Sequence, residues 1–206
     1  MMQECGFFNG DYEYGQDEFN RYFENLFESG VSIDDNGEMT LKVTAGTNAV
    51  TVSKGFAIIK GFYDYNDSDL VLPIVPDANY ERIDRIVVRV NRLSGPVEIV
   101  VKAGAAGSNP KAPELQRSDN VWEISLAKIS VRPNGSVEVT DERFDSSVCG
   151  AIRPKNLTEY KAMVTEFQKQ FDKWFDAQQG KGWRNIFIQP DNPEGSVTGS
   201  IWIQEQ

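Results

Sequence analysis

The densest group of potential oxygen ligands is DYNDSD at 64–69, where Asp64, Asp67 and Asp69 stand with Asn66 at spacings that could hold a calcium ion. The stretch lacks the EF-hand spacing and has no bidentate Glu at the required offset. Asn, Asp and Ser are also ordinary turn residues, so a turn is expected here rather than a metal site. Cys5 and Cys149 could be nucleophiles, but a thiolate at neutral pH needs a base, a nearby cation or a helix terminus, and the chain has no histidine. Both are read as inert, reduced thiols, too few for a disulfide scaffold and without zinc-site spacing. Carboxylate pairs able to hydrolyse a glycoside could be drawn from the 31 acidic residues, but abundance does not set their separation. GAAG at 104–107 lacks the Lys-Ser/Thr and the strand-to-helix setting of a phosphate loop. The sequence therefore predicts no catalytic, cofactor-binding or metal-binding residue.

Net charge is −10, and the 21 Lys and Arg residues form no contiguous stripe, which disfavours a nucleic-acid partner. No apolar run approaches the roughly 18 to 20 residues of a membrane span, and MMQECGFFNG resembles no signal peptide. Synthesis in a cytoplasm without membrane insertion is the expectation. The arginines Arg82, Arg85 and Arg89 alternate with Ile and Val in NYERIDRIVVRVNR. One face of that strand belongs to a core, and the arginines of the other are available to acidic partners on neighbouring strands.

The elements that would hold these residues follow from periodicity. Phe19, Tyr22, Phe23, Leu26 and Phe27 form a helical stripe, opened by Asp17 and Glu18 and closed by Gly30, that should pack on a domain. From 39 to 145 the period is two, with β-branched and aromatic runs separated by turn signals such as NG, GTN, LSGP and PNG. The expected fold class is α+β: a mostly antiparallel, sandwich-like β domain of two packed sheets over residues 1–152 with an N-terminal packing helix. The Gly-, Ala- and Pro-rich stretch 103–119 reads as a long exposed loop.

Residues 153–180 comprise a linker and a long amphipathic helix, capped by Asn156 or Thr158 and ended by Gly180. Tyr160, Val164, Phe167, Phe171 and Trp174 recur at heptad-like spacing, flanked by Met163 and Phe175. A stripe of this kind can dock on its own sheet or on copies of itself; the linker before it favours an intersubunit seam. Residues 181–206 supply two short strand-like pieces around a Pro- and Gly-rich turn, a C-terminal β tip too short for its own core.

Taken in order, YEYGQDEFNRYFENLFESGV, VTVSKGFAIIKGFYDYNDSDLVLPI, YERIDRIVVRVNR, VKAGAAGSNPKAPEL, WEISLAKISV and VTDERFDSSVCG leading into LTEYKAMVTEFQKQFDKWF resemble the N-terminal domain of upper baseplate proteins in siphophages of Gram-positive hosts. The resemblance spans residues 7 to 178 and lies in the ordered set. It implies a virion structural protein, not an enzyme, that joins the tail hub to receptor-binding or other baseplate proteins. It further implies a homo-oligomer, expected to be a trimer, built on the helix after the globular domain, and assembly in the host cytoplasm. IFIQP and GSIWIQ resemble segments near the ends of phage tail-fibre proteins, which makes Ile186, Phe187, Ile188, Ile201, Trp202 and Ile203 candidate partner-binding residues. A carbohydrate-binding adhesion module, suggested by Tyr63, Tyr65 and Trp122, and a cell-wall hydrolase are the alternatives.

Overall fold

A computed structural model describes residues 15–155, 158–180, 186–192, 194 and 200–204, with side chains of the long helix described over 161–176. The expected N-terminal aromatics Phe7, Phe8, Tyr12 and Tyr14, together with Cys5 and Asn156, lie outside the described residues. The chain divides into two units, Met1–Lys155 and Asn156–Gln206. It is α+β and mostly antiparallel β.

In the first unit, helix α1 (Gln16–Leu26) starts where the Gly15 N–H donates to Glu18 Oε2 at 2.8 Å. It stops at Leu26, ahead of the expected Gly30, because Phe27 turns extended and bridges to Pro154. Gly30 serves a different purpose: a Cβ there would sit 2.6 Å from the backbone of Gly150 and Ala151, so a side chain would push the two segments apart. Residues 149–155, of which 153–155 were expected to belong to a linker, are hydrogen-bonded to 26–31, through Glu28 N–H to Arg153 O at 2.7 Å and Ile152 N–H to Val31 O at 2.9 Å.

The orientation of α1 also differs from expectation. Its backbone at Asn20 lies on Gly61, where a Cβ would come within 2.1 Å of the Asn20 carbonyl oxygen, and Glu24 pairs with Lys60 at 2.6 Å. The polar side of the helix therefore faces the sheet. Phe19, Tyr22, Phe23 and Leu26 stay 39% to 46% exposed, and of the stripe only Phe27 is half-buried.

The strands are β1 (Gly30–Val31), β2 (Val43–Gly46), β3 (Ala49–Val52), β4 (Gly55–Ile59), β5 (Phe62–Asn66), β6 (Leu70–Pro73), β7 (Arg82–Asn91), β8 (Gly95–Lys102), β9 (Val121–Val131) and β10 (Val137–Asp141). They form three antiparallel sheets rather than two, ordered β1-β4-β5, β2-β3-β6 and β10-β9-β7-β8. The long apolar run at 49–65 is cut into three strands by turns at Ser53-Lys54 and Lys60-Gly61. One core joins the sheets: Val31, Ala57 and Ile59 meet Val50 and Val52, and both groups meet Ile86, Val88, Ile124, Leu126 and Ile129, all fully or almost fully buried.

In β9 the alternation breaks at Leu126-Ala127, where consecutive residues both enter the core. The register shifts at that point, Ile86 facing Ala127 while Val87 faces Ser125. This bulge reverses the alternation, so that Lys128 points away from the core where an unbroken strand would bury it.

The outward face of β7 and β9 answers the question of the arginines. Glu123, fully buried, accepts from Arg89 at 2.8 Å, from Lys102 at 2.5 Å and from the Gln116 N–H at 2.7 Å. Glu142 accepts from Arg85 at 2.5 Å and from the Ser125 hydroxyl at 2.6 Å. Arg82 belongs to the other side and grips the buried Asp84, which also accepts from the Gly104 N–H at 2.8 Å. The 103–119 segment is thus held at both ends by buried carboxylates, which supply acceptors that a strand ladder would otherwise provide.

Burial pushes the Glu123 carboxyl up, but the Gln116 N–H, Lys102 and Arg89 outweigh it and hold the group below the ordinary range. A depressed folded-state value stabilises the protein above the unfolded carboxylate pKa, and that contribution is lost as pH falls through the folded value. Stability should be flat from pH 8 to about 6 and fall below about pH 4.5, as carboxylates of this kind take up protons. Glu123→Ala, which strands two cations and a backbone donor, should cost about 3 to 5 kcal/mol at pH 7. Thermal melts across pH check both outcomes.

Candidate functional site

Helix α2 (Thr158–Gly180) belongs to the second unit. Its interior contains neither Pro nor Gly, and at 1.5 Å per residue it runs about 35 Å. Its polar side is tied along the axis by Gln168 to Asp172 at 2.9 Å, Gln170 to Glu166 at 3.2 Å and the Thr165 hydroxyl to the Lys161 carbonyl at 2.8 Å.

At helical spacing Val164, Phe167, Phe171 and Trp174 fall on one side of α2. Met163, Val164, Phe167, Phe171, Trp174 and Phe175 are 41% to 69% exposed, and every described side chain from 161 to 176 is exposed. Phe171 stacks on Phe175 with centroids 6.1 Å apart and tilts against Trp174 at 5.8 Å, so these three rings form one exposed ridge. The side chain of Tyr160 lies outside the described residues. Most helical stability in proteins comes from packing an apolar face, and exposed apolar patches of this kind mark contact surfaces.

The C-terminal strands β11 (Ile186–Ile188) and β12 (Ile201–Ile203) pair in parallel, Ile186 with Ile201, Phe187 with Trp202 and Ile188 with Ile203. The Trp202 indole N–H donates to the Gln189 carbonyl at 3.0 Å. Ile188, Ile201, Trp202 and Ile203 are exposed and Phe187 is half-buried, while the Ile186 side chain lies outside the described residues. Two strands of this length do not sustain a sheet by themselves.

The other candidates fall at separate places. Asp67 and Asp69 are exposed in the β5–β6 turn, whereas Asp64 alternates inward on β5, and no cluster able to hold a metal forms among the described residues. Burial pushes the Asp64 carboxyl up, and its Oδ2 is buried without a hydrogen-bond partner. Burial also drives the Cys149 thiol up to about 12, which removes it as a nucleophile at neutral pH. Trp122, suggested as an exposed aromatic, is half-buried with the Lys60 ammonium 4.6 Å and the Arg117 guanidinium 5.0 Å from its ring centre. Tyr63 and Tyr65 are exposed. Among the described residues, no helix is long and apolar enough to cross a membrane.

No family model matches the chain, and no curated protein matches it. Among solved structures, the crystal structure of the gene 22 product of the Bacillus subtilis SPP1 phage is similar over 57% of this chain and 87% of that one, with a TM-score of 0.36 and 14% identity.

The raised Asp64 pKa has the opposite sign to that of Glu123. The charged carboxylate costs stability above its unfolded pKa, and the cost is relieved as pH falls. Asp64→Asn should therefore raise the melting midpoint at pH 7, with the gain shrinking toward pH 4 and calcium leaving both proteins unchanged. A calcium-dependent midpoint in the parent that the variant loses would reinstate the metal site.

Proposed function

We propose that the chain is a non-enzymatic structural component of a phage tail baseplate or tail tip, connecting the tail hub to receptor-binding or other baseplate proteins. The ordered run of segments from 7 to 178 that resembles upper baseplate proteins supports this reading. The structural observation that carries it is the exposed aromatic ridge of α2, which has the spacing and chemistry of a seam between copies of one chain. In this reading three copies associate through Val164, Phe167, Phe171 and Trp174. The first unit, which has its own core, docks on the hub, and the exposed Ile and Trp side chains of β11 and β12 meet a further protein.

The mechanism is mechanical. Copies held in symmetric register present several receptor binders at once, so weak individual contacts add through a high effective concentration. The acidic surface and the absence of a basic stripe suit a particle component that avoids nucleic acid. The chain is then located in the virion after assembly in the host cytoplasm.

Burying a large aromatic and then truncating it to Ala costs roughly 3 to 5 kcal/mol per residue. Phe167→Ala, Phe171→Ala and Trp174→Ala together should dissociate the oligomer to monomers in sedimentation, with the melting transition of the first unit retained. Residues 1–155 expressed alone should melt cooperatively as a monomer. A full-length chain that is already monomeric, or a triple variant that stays oligomeric with a lowered midpoint, contradicts the connector mechanism.

A further inference from the structure

The β4–β5 pair carries large apolar side chains on both faces, although the core uses only one. Ala57 and Ile59 point inward and are fully buried, while Phe56 points outward, directly across from Tyr65. Phe56 also stacks on Tyr63, with ring centroids 5.8 Å apart and planes inclined by 25°. Tyr63 and Tyr65 are 67% and 70% exposed, on a strand that forms the edge of its sheet. The fold does not require rings there: Thr or Lys would keep the ladder and protect the edge better.

Tyr65 and Phe56 stand at the side of a groove of about 1010 Å³, whose rim also includes the exposed Asp35, Glu38, Lys54 and Asp67. The rings offer flat apolar faces with a hydroxyl at one end, and the rim mixes carboxylates with an ammonium group. Mixed signs at the rim and a net charge of −10 repel polyanions, and the aromatic side of the groove suits a flat ligand with one apolar face and a polar edge.

We propose that this groove binds a neutral oligosaccharide. The C–H face of a pyranose ring in the groove lies on Tyr65, and the next sugar extends beyond the groove along the same face of β5 onto Tyr63. The carboxylates of Asp35 and Glu38 accept hydrogen bonds from sugar hydroxyls, and Lys54 donates to a ring or glycosidic oxygen. Trp122 takes no part, since Lys60 and Arg117 already lie over its ring. The groove is built wholly from the first unit, so its affinity per site is independent of the α2 seam and can fail or hold separately from the connector reading.

The test is calorimetric titration of the full-length protein with short glucose, galactose, rhamnose and N-acetylglucosamine oligomers, and with polyglycerol phosphate as the anionic probe. At least one neutral oligomer should bind with a Kd of about 1 mM or below. Combining Tyr63→Ala with Tyr65→Ala should weaken that binding at least ~10-fold at an unchanged melting midpoint, whereas Tyr65→Phe, which keeps the ring, stays within about 3-fold of the parent. Asp35→Ala, a substitution on the exposed rim, provides an independent loss of affinity should the double variant fail to fold. No binding of any neutral oligomer at about 10 mM, tighter binding of the anionic polymer, or undiminished binding when the rings or Asp35 are removed overturns the proposal.

Discussion

The arrangement of the first unit depends on one buried carboxylate. Glu123 lies with no exposed surface on the outward face of the four-stranded sheet, and it joins Arg89 of β7, Lys102 of β8 and the backbone of Gln116. Each of those partners belongs to a different segment, so a single side chain sets the spacing of three strands and anchors the end of a long loop. A charge so placed is costly to bury alone, and removing any partner would leave it under-satisfied. The face it occupies is therefore held by ion pairs, while the opposite face is closed mainly by Val, Ile and Leu, with the Arg82–Asp84 pair at its end.

The same logic runs through the neighbouring groups. Asp84 does for Gly104 and Arg82 what Glu123 does for Gln116 and Arg89. Arg143, also buried, reaches from the end of β10 to the carbonyls of Met39 and Thr40 while gripping Asp141. These contacts hold the backbone beside Leu41, which sits fully buried in the left-handed region at φ 57. A bulky residue adopts that conformation only where its surroundings over-determine it, and here the core and the guanidinium together do so.

Besides scattered exposed residues such as Ile33, Val75 and Leu93, large apolar side chains reach the surface in groups: the α1 stripe, the α2 ridge, the β11–β12 pair, and Tyr63 and Tyr65 beside the half-buried Phe56. None of them is needed to complete the core of the first unit, which is already continuous. Surfaces of this kind are characteristic of proteins that work by contact, and the chemistry of each group differs.

Much of this was legible in the residues themselves. The strands at 43–141 were marked by alternation and turn residues, the long helix by its heptad-spaced aromatics, and Arg85 and Arg89 of β7 by their place on the polar side of a half-buried strand, because period and polarity are local properties. The partners of those arginines were not legible. Glu123 and Glu142 are separated from Arg89 and Arg85 by long stretches of chain, and only strand pairing and the bulge at Leu126-Ala127 bring them together. The direction of α1 was hidden for a related reason. An apolar stripe names a face but not its partner, and the close backbone approach at Gly61 turns the polar side inward. Gly30 likewise looked like a helix stop until the packing of 150–151 against it supplied the actual cause. What one segment can do is written in its own side chains; which segments meet depends on contacts between residues far apart in the chain, and those only the tertiary structure decides.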